Sequence, residues 1–208
     1  MQMENRREFI FRFGVIAPLL VAGCGVRGTA QTSVLKLLKA NAVSEQLEWN
    51  GAKDVPDTVS WRSVLPQSPG AERMIISGTV FESDRKTVAP EVLIYFYHTD
   101  AEGYYGRNGE PRHGRFRGWL LTGKDGRYEI ETIRPAAYPS RRAAAHIHMT
   151  VTTLKEKEHW IDEIQFEGDP LISESYRRKT EGRGRFNPIV KLLKGTDGIW
   201  RGAVDIAL

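Results

Sequence analysis

The sequence predicts an all-β domain of the sandwich type, preceded by a leader segment and a short helical arm. From Met74 onward, short runs rich in β-branched and aromatic residues recur along the chain, and this composition favours strands. Turn-forming pairs such as Asp125-Gly126 and Asp197-Gly198 separate these runs. Many short strands at this spacing are typical of a β-sandwich, and a chain of 208 residues is long enough for one such domain.

The first 23 residues have the pattern of a targeting segment rather than of a folded domain. Arg6 and Arg7 form a twin-arginine pattern, and the apolar stretch Gly14–Gly23 is too short to span a bilayer. Cys24 follows this stretch directly, in a position similar to that of the modified cysteine of a bacterial lipobox. We therefore expect export to the periplasm or cell surface, with a lipid on Cys24 that anchors the protein to a bacterial membrane. The alternative is a surface amphipathic helix with an incidental cysteine.

Residues 24–70 are predicted to form a tether and an N-terminal arm. The small, polar segment Gly25–Ser33 is typical of a linker. The apolar spacing of Val34–Ala42 favours a short helix, which could pack on the domain or on a partner subunit. Pro56–Pro69 is predicted to be irregular. Cys24 is the only cysteine in the chain, and this excludes an intramolecular disulfide.

The β-sandwich domain is predicted over residues 71–208. Its expected strands are Met74–Phe81, Val92–Tyr97, Trp119–Leu121, Tyr128–Ile133, His146–Thr152, Ile161–Phe166, Ile189–Leu193 and Ile199–Ile206. We expect the aromatic run Tyr95–Tyr97 to pack in the core, and His98, His113 and His159 to lie at the surface. The formal net charge of +4 is too small to indicate a nucleic-acid partner.

One pair of histidines suggests a metal site. His146 and His148 lie in a run with the composition of a strand, so both side chains point to one face while Ile147 points to the other. Tyr105 and Tyr138 lie upstream. Two imidazoles with two phenolates suit ferric iron, because phenolate stabilises a hard, oxidised metal. The alternative is that the two histidines simply occupy the solvated face of an edge strand.

Five separate segments resemble those of one enzyme family, the intradiol ring-cleavage dioxygenases. Their order and spacing agree over about residues 74–174. The resemblance is closest to the protocatechuate 3,4-dioxygenase type, since the long helical dimerisation segment of catechol 1,2-dioxygenases is not evident before Met74. The segments are Ile76–Val80, Ala101–Tyr105, Asp125–Pro139, Ala145–His148 and Phe166–Ile172.

The resemblance implies a β-sandwich of the intradiol dioxygenase type that binds Fe(III) through Tyr105, Tyr138, His146 and His148. If the Gly-x-Tyr alignment shifts by one residue, Tyr104 replaces Tyr105. The family cleaves a catechol between its two hydroxyls and inserts both atoms of O2 to give a muconate-type diacid. In the family mechanism the catecholate displaces the second tyrosine, here Tyr138, which takes up a substrate proton. Oligomerisation occurs in the family, and the sequence leaves it open here.

Several positions differ from the family pattern. The family arginine that stabilises anionic charge falls on Ala143, so Arg142 is the candidate for its role; the alternative for Arg142 is a solvated surface charge. Ser140 replaces an aromatic residue. A glutamine near the substrate falls on Glu163, whose carboxylate would disfavour an acidic substrate such as protocatechuate. These differences also suggest an alternative function, a non-catalytic module outside the cytoplasm that binds a metal or a catecholate.

Overall fold

The computed structural model describes residues 24–43, 51–106, 110–111, 113–140 and 142–208. The predicted targeting segment, residues 1–23, lies outside the described residues. Among the helices described, none combines the length and the apolar character needed to cross a membrane.

Strands make up most of the regular structure in the described residues. Two α-helices span Cys24–Ala40 (α1) and Glu174–Thr180 (α2), and two short 3₁₀ helices span Ala52–Asp54 and Gly184–Phe186. The strands are Arg62–Val64 (β1), Arg73–Phe81 (β2), Leu93–His98 (β3), Arg117–Leu121 (β4), Arg127–Ile133 (β5), His146–Thr152 (β6), His159–Trp160 (β7), Ile164–Phe166 (β8), Ile189–Val190 (β9), Leu193–Lys194 (β10), Trp200–Ala203 (β11) and Ile206–Ala207 (β12).

These strands form two sheets. The first has the order β1-β5-β2-β11-β10, and β12 also pairs with β2. The second has the order β4-β3-β6-β8-β9, and β7 also pairs with β6. Antiparallel pairing dominates the centre of each sheet, between β2 and β5 and between β3 and β6. The all-β sandwich expected from the sequence is therefore confirmed.

The main core lies between the two sheets, where alternate side chains of each strand face inward. Ile76 of β2, Ile130 of β5, Phe96 of β3 and Ile147 of β6 are fully buried there. β3 is buried along its whole length, so its second face must also be covered. This outer face of the second sheet carries the features that matter for function.

The N-terminal arm covers one end of that outer face. Leu35 and Leu38 of α1 pack with Leu93 and Leu121 in a second, smaller hydrophobic cluster. The buried Glu158 carboxylate accepts hydrogen bonds from the backbone N–H groups of Gly51 and Ala52 and from the Thr150 hydroxyl. His146, His148 and Tyr97 lie at the other end of the outer face.

The predicted strands are confirmed in place, although one of them is shortened and two are divided. Of the predicted Ile161–Phe166, only Ile164–Phe166 (β8) is a strand; Asp162 forms ion pairs with Lys179 and Arg183, and Glu163 lies beside His148. The predicted Ile189–Leu193 is divided into β9 and β10, and the predicted Ile199–Ile206 is divided into β11 and β12. The predicted core position of Tyr95, Phe96 and Tyr97 is confirmed.

Three predictions were wrong. Pro56–Pro69 contains β1, which is held by parallel pairing with β5 and by ion pairs from Arg62, so its sequence carries little hydrophobic pattern. Gly25–Ser33 lies within α1, because the helix that packs through Leu35 and Leu38 continues toward its N-terminus. His98 is completely buried instead of exposed, because it lies on the inward-facing side of β3.

Candidate metal centre

Strand β6 places the two histidines side by side. Ile147 faces the core, so His146 and His148 share the outer face at the start of the strand. The neighbouring strands fix their surroundings, since His148 lies opposite Tyr97 on β3 and His146 lies opposite Gln165 on β8. The predicted arrangement of His-x-His on one face is what the structure shows.

Two loops bring in the tyrosines. The Asp100 side chain accepts hydrogen bonds from the backbone N–H groups of Glu102 and Tyr104, which shapes the loop that ends at Tyr105. Gly103 in this loop has a φ of 88° and lies against the backbone of Ala137, where an added Cβ would be 2.2 Å from the carbonyl oxygen. Only glycine allows this contact. The contact brings the Tyr105 loop against the loop that carries Tyr138.

The four predicted ligand residues converge on one point. The Nε2 atoms of His146 and His148 are 2.9 Å apart. The Tyr138 hydroxyl oxygen lies 3.0 Å from Nε2 of His146 and 3.3 Å from Nε2 of His148, and it is in short contact with the Tyr105 hydroxyl. Tyr104, by contrast, is 47% exposed, and the structure brings Tyr105, not Tyr104, to the other three residues.

The neighbour of Nδ1 in each imidazole determines whether Nε2 carries a proton or a lone pair. Nδ1 of His146 lies 2.6 Å from the Ala144 carbonyl oxygen, which can only accept, so this nitrogen carries the ring proton. Nδ1 of His148 lies 3.1 Å from a carboxylate oxygen of Glu163, within ion-pair range although not aligned as a hydrogen bond. This neighbour likewise favours a proton on Nδ1. Both Nε2 atoms then present lone pairs toward the same point.

This donor set fits a metal cation. Two facing lone pairs at 2.9 Å repel each other, and the single proton of the Tyr138 hydroxyl can satisfy only one of them at a time. Burial lowers the pKa of His146, so its imidazole stays neutral, which is the form that binds metals. Burial also raises the pKa of Tyr105 and of Tyr138, so both are neutral phenols unless a cation stabilises their phenolates. A metal cation bound at this point would supply the charge that stabilises both phenolates.

Glu163 adds a carboxylate beside the ligand set. Its proximity to His148 holds its pKa below the ordinary value, against the opposing effect of burial. The ligand-type atoms of His146, His148 and Glu163 lie within 4.8 Å of one another. The side chain remains 36% exposed, so the carboxylate faces both the imidazole and solvent. Its predicted contact with substrate stays a prediction.

An aromatic layer surrounds the two histidines. The Tyr97 ring lies 4.7 Å from His148 and 5.5 Å from Tyr105, and His113 stacks on Tyr97 at 3.8 Å between ring centroids. Trp160, 37% exposed, lies 5.2 Å from His148. The sequence alone predicts core packing for Tyr97 and a surface position for His113. Only the pairing of β3 with β6 reveals that Tyr97 lies next to His148.

Two other predicted site residues lie apart from this cluster. Arg142 is exposed, and in the part of the chain that the structure describes the contacts of the four ligand residues do not include it. Its catalytic role stays a prediction. Cys24, the predicted lipidation site, is the first residue of α1.

Comparisons with known proteins show similarity to dioxygenases over much of the chain. The family model described as a dioxygenase matches residues 57–183, more than half of the chain. Catechol 1,2-dioxygenase 1 of Acinetobacter lwoffii is 30% identical over 145 residues, covering 61% of this chain and 46% of the relative. The protocatechuate 3,4-dioxygenase beta chain of Burkholderia cepacia is 28% identical over 116 residues, covering 50% and 49% respectively. The chain thus spans about half the length of these curated relatives.

Solved structures show the same fold. The dioxygenase domain of a dioxygenase and carbohydrate-binding fusion protein from Streptomyces sp. SirexAA-E has a TM-score of 0.57 at 23% identity, covering 80% of this chain and 96% of that one. An intradiol ring-cleavage dioxygenase from Tetranychus urticae has a TM-score of 0.53 at 17% identity, covering 72% and 85%. At these sequence identities the structural similarity is evidence for the fold only. Because the family match includes the segments that supply Tyr105, Tyr138, His146 and His148, the chain belongs to the intradiol ring-cleavage dioxygenase family.

Proposed function

We propose that this protein is a non-haem Fe(III) dioxygenase that cleaves a catechol-type ring between its two hydroxyls and inserts both atoms of O2 to give a muconate-type diacid. The observation that carries the proposal is the convergence of two phenol oxygens and two imidazole Nε2 atoms at one point. The relatives named catechol 1,2-dioxygenase and protocatechuate 3,4-dioxygenase support the substrate class.

Tyr105, Tyr138, His146 and His148 would hold the iron. Bound there, ferric iron would supply Lewis-acid chemistry and a template for a catecholate. Tyr138 is suited to move the substrate proton: its hydroxyl contacts Tyr105, His146 and His148. Since burial raises its pKa, a Tyr138 phenolate that stays buried without a neighbouring cation is a stronger base than free tyrosinate.

The neighbouring tyrosines Tyr104 and Tyr105 offer a matched test. Iron-loaded protein should consume about one O2 per catechol and release a ring-opened diacid. Tyr105→Phe should reduce the initial rate by roughly two orders of magnitude or more, because it removes an anionic ligand. Tyr104→Phe, a change at an exposed side chain, should keep the rate. If iron-replete wild type consumes no O2 with any of a broad panel of catechols, ring cleavage is not its function.

A second candidate function is the capture of a catecholate without cleavage. The exposed position of Arg142 favours it. In the part of the chain that the structure describes, this arginine does not place its positive charge beside the four ligand residues. Incubation of iron-loaded protein with a tightly bound catechol under O2 distinguishes the two functions. Recovery of unaltered ligand supports capture, and recovery of a diacid supports cleavage.

We also propose that the protein is exported and anchored by a lipid on Cys24. The twin-arginine pattern at Arg6 and Arg7 and the apolar stretch before Cys24 support this proposal. Mass spectrometry of protein expressed in a bacterium with both export systems should give a mature chain that begins at a diacylated Cys24. Cys24→Ala should abolish lipid attachment and processing at this site. An unmodified Cys24 in membrane-free protein would contradict the proposal.

A further inference from the structure

Glu163 places a fixed carboxylate next to the ligand set. It lies in the short connection between Trp160 of β7 and Ile164 of β8, so two strand ends hold its position. Its Oε1 atom is 3.1 Å from Nδ1 of His148, on the side of the imidazole opposite Nε2. About a third of the side chain (36%) is open to solvent. Ligand-type atoms of His146, His148 and Glu163 lie within 4.8 Å of one another, so a molecule bound beside these imidazoles is close to this carboxylate.

Among the described residues, carboxylates outnumber cations in both clefts that border the two phenols. The described lining of the cleft beside Tyr105 includes Asp100, Glu102 and Glu110, against Arg115. The cleft beside Tyr138 is lined by Glu167 and Asp169, against Arg134.

Both arginines have partners of their own, Ser68 for Arg115 and Glu72 for Arg134. Although the chain as a whole has a formal net charge of +4, the described surroundings of the site contain more carboxylates than cations. Charges grouped in a cleft act together on an approaching ligand.

We infer that this site binds neutral or cationic catechols in preference to catechols that carry a carboxylate on the ring. The inference rests on the proposed function and specifies the class of its substrate. A ring carboxylate within several ångströms of Glu163 would be repelled across a partly desolvated gap, and an ammonium substituent would be attracted. A single charge at this range changes affinity by about tenfold.

The test measures binding without turnover. Iron-loaded wild type is titrated under nitrogen with catechol, with dopamine as a cationic probe and with protocatechuate as an anionic probe. The readout is the change in the visible charge-transfer band. We expect wild type to bind catechol and dopamine at least about tenfold more tightly than protocatechuate. Glu163→Gln should reduce this ratio by about tenfold, mainly through tighter binding of protocatechuate.

Two control variants separate charge from shape. Glu163→Asp keeps the charge and should keep the preference, which also provides a folded variant if Glu163→Gln is unstable. Glu156→Gln removes an exposed carboxylate beyond the far end of β6 and should leave all three dissociation constants unchanged. Equal ratios in wild type and Glu163→Gln, or tighter binding of protocatechuate by wild type, would overturn the inference alone. Failure of all three probes to bind would overturn the proposed function, and the inference with it.

Discussion

Histidines on the two faces of the second sheet have different hydrogen-bonding surroundings. His98 on β3 lies opposite Ile147 on β6, so it is a direct neighbour of His146 and His148 but points into the sandwich. Both of its ring nitrogens have protein partners, with Nδ1 at 2.7 Å from the Thr99 carbonyl oxygen and Nε2 at 2.8 Å from the Thr132 hydroxyl. In His146 and His148 each Nδ1 has one backbone or carboxylate neighbour, while the two Nε2 atoms face each other and share the single Tyr138 hydroxyl.

This difference separates a structural histidine from a ligand. A buried imidazole with two protein partners contributes to packing and leaves no lone pair for a metal. An imidazole whose Nδ1 is held by the protein, while its Nε2 faces other donors, is prepared for a cation. Burial alone does not distinguish them, since His98 and His146 are both buried.

The largest expected effect is the loss of iron when a facing nitrogen is removed. His148→Ala should lower the affinity for Fe(III) by more than about 100-fold, because loss of a direct ligand exceeds the 10- to 100-fold effect typical of an outer partner. Competition with a chelator and the iron content of purified protein measure it. His159→Ala, at a half-buried histidine of β7, is the control and should retain one iron per chain. Full iron content in the His148 variant would contradict the ligand assignment.

Replacement of the buried histidine His98 should lower the stability of the fold and leave metal binding unchanged. His98→Ala removes a fully buried ring and leaves the Thr132 hydroxyl unpaired, so we expect it to lower the free energy of unfolding by about 4 kcal/mol. Urea unfolding of the iron-free protein gives this value. The folded variant should still bind one iron. If iron is lost while stability is unchanged, His98 belongs with the ligands and the comparison fails.

The burial of His98 should also make the stability of the fold depend on pH. Burial lowers the pKa of His98 from 6.5 to about 4. The unfolded chain therefore binds more protons between these values, and stability is full above about pH 6.5 and falls as the pH drops toward 4. The loss approaches about 3 kcal/mol at the acidic end. Urea unfolding of iron-free protein at several pH values should show a smaller acid-induced loss in His98→Gln than in wild type. An identical loss would show that other groups cause it.

The smallest expected effect concerns the outer partner of His148. Glu163→Gln replaces the carboxylate beside Nδ1 by a neutral amide, so Nε2 becomes a weaker donor. We expect the affinity for Fe(III) to fall about tenfold, at the low end of the range for outer partners. Chelator competition measures it, with Glu156→Gln as the control. An affinity equal to that of wild type would mean that the Ala144 carbonyl and the strand geometry suffice to position both imidazoles.

The sequence predicts the histidine pair better than the rest of the site, for a physical reason. The period of a strand fixes the relative direction of His146 and His148 without any tertiary information. Tyr105 and Tyr138 can be selected as ligands only through the family resemblance. Contacts between loops, such as that of Gly103 with Ala137, do not follow from the periodicity of a single strand. The burial of His98 and the short strand β1 were missed because each depends on pairing with a distant strand.

The contact between Gly103 and Ala137 has a consequence for the oxidation state of iron at the proposed site. A side chain at residue 103 would force the two loops apart and move Tyr105 away from Tyr138, while strand β6 would keep its imidazoles in place. The donors that strand β6 would keep in place, the neutral imidazoles of His146 and His148, suit ferrous iron better than ferric iron, which phenolate stabilises. Gly103→Ala should therefore raise the reduction potential of the bound iron, which voltammetry can measure. The oxidation state of the metal would then depend on the absence of a single methyl group.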